Sequence, residues 1–203
     1  IQKSFQKRVE DPRLEQTLAE ALAISQKVIK SPMLDWYFQQ FHEPPNLFHH
    51  CGRVAYGAAA FCLFKGIAGE KEIEPLVFSA LIHELEGDPA TSLKTVVSQQ
   101  TIAQLEKSGH PVPAEVIQLI QLHDELCSGK GFPNNKKRGD LPVTARVFTM
   151  VNHLDHYRLK EGISRRARYE QAKQQMTARK ADYDETLWPH FWEFWEKYLE
   201  MVG

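Results

Sequence analysis

The feature that most restricts this chain is the period of its apolar residues, which recur every three or four positions along most of its length and almost nowhere alternate. A half-buried strand needs alternation at period two, so the pattern predicts an all-α architecture, a single helical bundle. Leu14, Leu18, Ala21, Leu22, Ile24, Val28 and Ile29 fall mostly on one helical face, behind an Asp11-Pro12 start signal. Ser31-Pro32 restarts the pattern in MLDWYFQQF, and the run from His42 to Asn46 breaks it. Longer apolar segments follow over Leu47 to Ile67, Glu74 to Leu85, Ser92 to Lys107 and Pro113 to Leu126, separated by Gly, Pro or short polar turns as in packed antiparallel helices. A Gly- and Lys-rich loop spans Ser128 to Asp140. Helical spacing then resumes over Pro142 to Leu159, Arg168 to Lys180 and Glu185 to Met201. Residues 1–45 read as a helical lead-in or a linker from an upstream domain, and 46–203 as the domain proper.

In the last segment, Trp188, Phe191, Trp192, Trp195 and Leu199 form one aromatic stripe. Core packing explains such a stripe, and a homodimer interface is the alternative, because Trp is enriched at protein contacts.

The charges sum to −1, from 25 Lys+Arg against 26 Asp+Glu, which excludes a strongly basic nucleic-acid binder. Near-neutrality is nevertheless a sum over unlike regions. Lys130 to Arg138 and Arg165 to Arg168 are locally basic, which leaves a small phosphate ligand open as a partner. The most apolar stretch, Val54 to Phe64, is interrupted by Gly57 and too short to cross a bilayer, so no membrane span is expected. Cys51, Cys62 and Cys127 are too scattered for a disulfide framework or a CxxC zinc site, and they predict a reducing, cytoplasmic setting. A start at Ile1 without a signal-peptide pattern suits a segment preceded by a further domain.

The histidines carry the chemistry. His49 and His50 open one helical segment, His83 sits in a second, His123 begins the sequence HDEL, and His153 and His156 lie in a later one. Glu84 follows His83, and Asp124 follows His123. Imidazoles and carboxylates reaching inward from different helices are what a divalent metal requires, since one helix cannot surround an ion. Such an ion acidifies water and clamps phosphate. The competing arrangement has the same groups bonding one another inside the bundle.

The order of these pieces resembles a known family. His50-Cys51-Gly52-Arg53-Val54-Ala55 is similar to the first-histidine helix of HD-superfamily phosphohydrolases, and Ala80 to Leu85 to their His-Asp step, with Glu84 in place of Asp. The stretch from His123 to Pro133 resembles the HHExxDGxGYP signature of HD-GYP domains, matching at His123, Glu125, Gly129, Gly131 and Pro133. Leu141 to Val147 resembles that family's IPLxARI segment. The resemblance runs from about Asn46 to the C-terminus. It implies an all-α, metal-dependent phosphodiesterase fold acting on the bacterial second messenger cyclic di-GMP, with His50, His83, Glu84, His123 and Asp124 as metal ligands. The loop offers its own reading: Gly129 and Gly131 permit a tight backbone path, and Lys130, Lys136, Lys137 and Arg138 suit phosphate, with Lys137 where similar domains often have a basic residue. Lys137, Gly129, Gly131 and Arg146 are thus the candidate ligand contacts, against the competing reading of a solvated charge run.

The departures point to a degenerate member. Asp124 replaces the second His of the HHE step, a later His-Pro pair falls near Ser98, the VAD aspartate falls on Asn152, and the HDxGK lysine falls on Gly87. Phe132 replaces the GYP tyrosine, so the ring is expected to pack and the hydroxyl's hydrogen bond to be lost. Two functions follow: a pseudoenzyme that signals by binding a ligand or a protein partner, or an active phosphodiesterase on cyclic di-GMP or a related phosphoester. The metal site is incomplete in either case, and holds iron, manganese, zinc or nickel, or none.

Overall fold

The computed structural model describes residues 10–40, 47–85, 94–157 and 163–202. Among them are nine α-helices and no strand: α1 (Pro12–Ile29), α2 (Pro32–Phe38), α3 (Phe48–Lys65), α4 (Glu70–Ile82), α5 (Lys94–Glu106), α6 (Ala114–Leu122), α7 (Val143–Tyr157), α8 (Arg165–Ala178) and α9 (Trp188–Val202). The start signals act as their chemistry dictates. The Asp11 carboxylate accepts the Leu14 N–H at 3.0 Å with Pro12 at the first helical position, and the Ser31 and Ser164 hydroxyls do the same for α2 and α8.

Two boundaries differ from the periodicity reading. Helix α4 begins at Glu70 rather than Glu74, because the Glu72 side chain accepts the Gly69 N–H at 3.0 Å and closes the first turn, leaving Pro75 inside the helix. Helix α6 stops at Leu122 rather than Leu126, because His123 caps it and the chain then turns to serve the loop beyond.

Helix α3 is the axis of the bundle. It packs against α1, α4, α7 and α9, while α4 also meets α1, α6 and α7. Its buried face, rich in Gly57, Ala58, Ala59 and Ala60, is flat enough to admit close neighbours. Helix α9 lays its stripe there: Phe191, Trp192, Phe194, Trp195 and Leu199 are all buried, and the Phe61 ring meets Phe191 edge-on at 5.4 Å between centroids. The stripe is therefore used within the chain as core, not left as a free face for a second copy. Helix α1 packs on α3 and α4, so the lead-in helix is part of the same bundle, and the expected boundary near residue 45 lies outside the described residues. No described helix is long and apolar enough to cross a membrane.

Candidate metal centre and the loop beside it

The ends of four helices meet at the site. His50 lies in the first turn of α3, His83 caps α4 and is followed by Glu84, His123 caps α6, and Asn152, Asp155 and His156 project from α7. The caps explain how two of the imidazoles are set. His83 Nδ1–H donates to the Ala80 carbonyl at 2.9 Å, and His123 Nδ1–H to the Ile120 carbonyl at 2.7 Å, each satisfying a carbonyl left over in its own last turn. His50 Nδ1–H donates to the Asp155 carboxylate at 2.9 Å, and Arg53 grips that carboxylate with contacts of 2.8 and 2.9 Å. All three rings thus commit Nδ1 to an outer partner and turn Nε2, with its lone pair, inward. That is the arrangement by which a second partner orients a metal-binding histidine.

The inward side is where the ligand set forms. One donor atom each from His50, Glu84 and His156 lie within 4.8 Å of one another. His50 Nε2 is 3.5 Å from Glu84 Oε2, and His156 Nε2 is 3.1 Å from Glu84 Oε1. Burial alone would raise the Glu84 carboxyl, but the hydrogen bond from His156 and the electrostatic influence of the neighbouring imidazoles outweigh it and hold the group well below the ordinary carboxylate range. Glu84 is therefore an anion. Complete burial pushes His83 the other way, down to about 3, with neighbouring His123 and His50 adding to the shift against the pull of Glu84. His83 is therefore neutral, and its Nε2 stands 4.0 Å from Glu84 Oε1.

Two nitrogens and a carboxylate suit one divalent ion of the borderline kind. Among the described residues no second such group of ligand atoms forms. Asn152, fully buried, holds Oδ1 3.0 Å from His50 Nε2 and 3.3 Å from His83 Nε2, and its Nδ2 has no partner. A carboxamide there is neutral where the resemblance implies a carboxylate. Because both Nε2 atoms carry lone pairs, the same amide turned through 180° would donate to them and answer the orphaned Nδ2. The Ser98 hydroxyl is turned toward the Ile120 carbonyl at 3.4 Å. Gly87 lies outside the described residues.

Of the expected ligands, the structure brings His50 and Glu84 into one group with His83 beside it, and adds His156. His123 and Asp124 form the next layer outward, with the His123 ring 5.1 Å from that of His83 and Asp124 Oδ2 3.4 Å from His123 Nε2. The signal that could have found His156 is its place one residue after Asp155, on the face of α7 that carries Asn152.

The loop after α6 is held from inside. The buried Glu125 carboxylate accepts the Asn134 N–H at 2.6 Å and the Lys136 N–H at 2.9 Å, and the Phe132 N–H donates to the Asp124 carbonyl at 3.1 Å. Gly129 sits at φ +77°, and a side chain on Gly131 would collide with the backbone of residues 124–126, so both glycines are required by the loop's own path. Arg146 is bound by the buried Asp184, which also meets Arg138 at 3.3 Å. Lys137 is exposed, with its stem against Gly129. None of these four reaches the group around Glu84. Phe132 does not pack as expected: it is 60% exposed, because the loop that Glu125 and Gly131 fix turns its ring outward.

Residues 89–187 match the family model of the HD domain. Bd1817, an HDG"Y"P protein from Bdellovibrio bacteriovorus, has a similar structure, with a TM-score of 0.60 and 18% sequence identity over 90% of this chain and 64% of that one. This chain thus spans about 64% of that protein's length. No curated protein sequence matches. Over residues 89–187 the chain is similar to the HD domain, and its all-helical fold is similar to that of the Bdellovibrio protein; His50, His83 and Glu84 lie upstream of the segment that the family model matches.

Proposed function

We propose that this chain is a degenerate HD-GYP-like signalling domain that holds one divalent ion through His50, Glu84 and His156, binds a nucleotide phosphoester against it, and hydrolyses it poorly if at all. The observation that carries this reading is the convergence of those three side chains, two of them on helices that meet only in the folded bundle. A bound ion supplies positive charge toward a phosphoryl oxygen and acidity to water. The chain's own residues supply the rest: Asp155 and Arg53 orient His50, and the Ala80 carbonyl orients His83. Asn152, in place of a carboxylate, withholds what a second ion needs. Cyclic di-GMP is the ligand the family resemblance favours, and the bound state would be passed on to a protein partner.

The alternative, an active phosphodiesterase on cyclic di-GMP or a related phosphoester, is favoured by the inward-turned Nε2 atoms, which are ready for ligation. Incubating manganese- or iron-loaded protein with cyclic di-GMP separates the two. Saturable binding with turnover at background supports the proposal; turnover that Glu84→Gln abolishes overturns it in favour of the alternative.

A further inference from the structure

A cavity of ≈ 80 Å³ opens between α1, α3, α7 and α9, with Leu18, Arg53, Ala60, Val151, Phe194 and Trp195 in its walls. About 10–15 Å³ of such space admits one water, so it holds on the order of five to eight heavy atoms, too few for a nucleotide. Asp155 also lines it, and the same carboxylate accepts the His50 Nδ1–H at 2.9 Å. None of His50, Glu84 and His156 borders the cavity, so it is separate from the metal group.

Two donors in its walls are unspent. Trp195 is 7% exposed, and its indole Nε1–H has no hydrogen-bond partner, which is rare and costly for a buried donor. The ring turns its Cη2 and Cζ2 atoms toward Gly57, which shares the cavity wall, at 3.1 and 3.2 Å from where a Cβ on that glycine would lie. Nε1 is two bonds from Cζ2 along the same edge. Arg53 spends Nε and Nη2 on Asp155, with contacts of 2.9 and 2.8 Å, while Nη1, with two N–H groups, bonds no described residue. Indole and guanidinium nitrogens donate and never accept.

The rest of the wall narrows the ligand. Leu18, Ala60, Val151 and Phe194 offer water no partner. Asp155, the one carboxylate among the described lining residues, is taken by His50 and Arg53, and the Tyr56 hydroxyl donates to the Leu18 carbonyl at 3.4 Å. A fitting occupant therefore accepts hydrogen bonds from an N–H and a guanidinium at one end, carries no donor that needs an answer, and is hydrocarbon at the other end. We infer that this cavity is a binding site for a small aliphatic monocarboxylate, with its carboxylate on Arg53 Nη1 and Trp195 Nε1 and its chain against Leu18, Ala60 and Phe194. The site does not depend on the metal reading, since its donors belong to the chain itself.

The test titrates sodium butyrate into isotope-labelled protein at constant ionic strength and follows the indole N–H signals by NMR, with butanamide, its uncharged counterpart, as the comparison. Butyrate should saturate with a Kd of about 1 mM and shift the indole signal that Trp195→Phe removes. Butanamide should bind about tenfold more weakly or worse, and Arg53→Gln should weaken butyrate by a similar factor. Carboxylates also ligate metal ions, so Glu84→Gln, which disables the metal group, separates the two sites: butyrate affinity should stay within about twofold of wild type. The site is overturned if butyrate does not saturate, if the Trp195 signal does not move, if butanamide binds as tightly, if Arg53→Gln binds butyrate as the wild type does, or if Glu84→Gln abolishes binding.

Discussion

Replacing Gly131 by alanine should unfold the loop that defines the site's outer wall. A Cβ at that position would lie 2.5 Å from Glu125 Cα and 2.6 Å from the Asp124 carbonyl oxygen, and closer still to the Leu126 amide nitrogen. All three are backbone atoms just beyond the end of α6, so no rotamer change can relieve the collision. Either residues 124–126 move, dragging the Glu125 carboxylate off the Asn134 and Lys136 amides, or the loop lifts away. Overpacking in a well-packed region costs about 1–3 kcal/mol, and a collision with backbone belongs at the top of that range. For a chain of this size about 3 kcal/mol lowers the melting temperature by about 6–12 °C. Thermal unfolding followed by circular dichroism reads this directly. Gly52→Ala is the control: a Cβ there meets nothing within 4 Å, at a position inside α3. It should stabilise by about 0.5–1 kcal/mol, raising the melting temperature by about 1–4 °C. A Gly131→Ala protein melting within about 1 °C of wild type would refute the claim that the loop's path depends on this close approach.

The electrostatics and hydrogen bonds give further expectations. Burial raises the Asp184 carboxyl, but bonds from Thr186, the Arg146 guanidinium and the Leu187 amide outweigh it and hold it at about 2. Because the folded value lies below the unfolded one, this stabilisation, about 2 kcal/mol, is complete above pH about 4 and is lost as pH falls through about 2. Urea unfolding of wild type and Asp184→Asn should therefore converge over that window, and a gap that stays constant would contradict the assignment. Glu125→Ala removes the acceptor of two amides and should cost about 1–3 kcal/mol, with faster hydrogen exchange at Asn134 and Lys136; unchanged exchange there would count against it. Arg53→Ala should leave the fold intact yet weaken metal binding about 10–100-fold, because Asp155 then orients His50 without the two Arg53 contacts; equal affinity would show that Arg53 serves only the surface.

The fold was legible because its signals are local. Asp11-Pro12 and Ser31-Pro32 announce helix starts, and the spacing of Phe191, Trp192 and Trp195 announces a buried face. The ends of α4 and α6 were less legible: Pro75 hides a helix that starts before it, and nothing in HDEL shows that His123 leaves the helix to cap it. The site was legible only in part. His50, His83 and Glu84 sit in motifs, whereas His156 joins the group only when α7 brings it to Glu84, a contact between partners 72 positions apart. Phe132 was misread for the opposite reason. An aromatic residue suggests a core position, but the loop carrying it is fixed by Glu125 and Gly131 in a shape that leaves the ring outside.

The central claim is one ion on His50, Glu84 and His156, and metal content per chain tests it most directly. Protein purified without chelator should carry about one divalent ion, lost in both Glu84→Gln and His156→Ala and kept in His123→Ala. Two ions per wild-type chain, or full occupancy retained in His156→Ala, would contradict it.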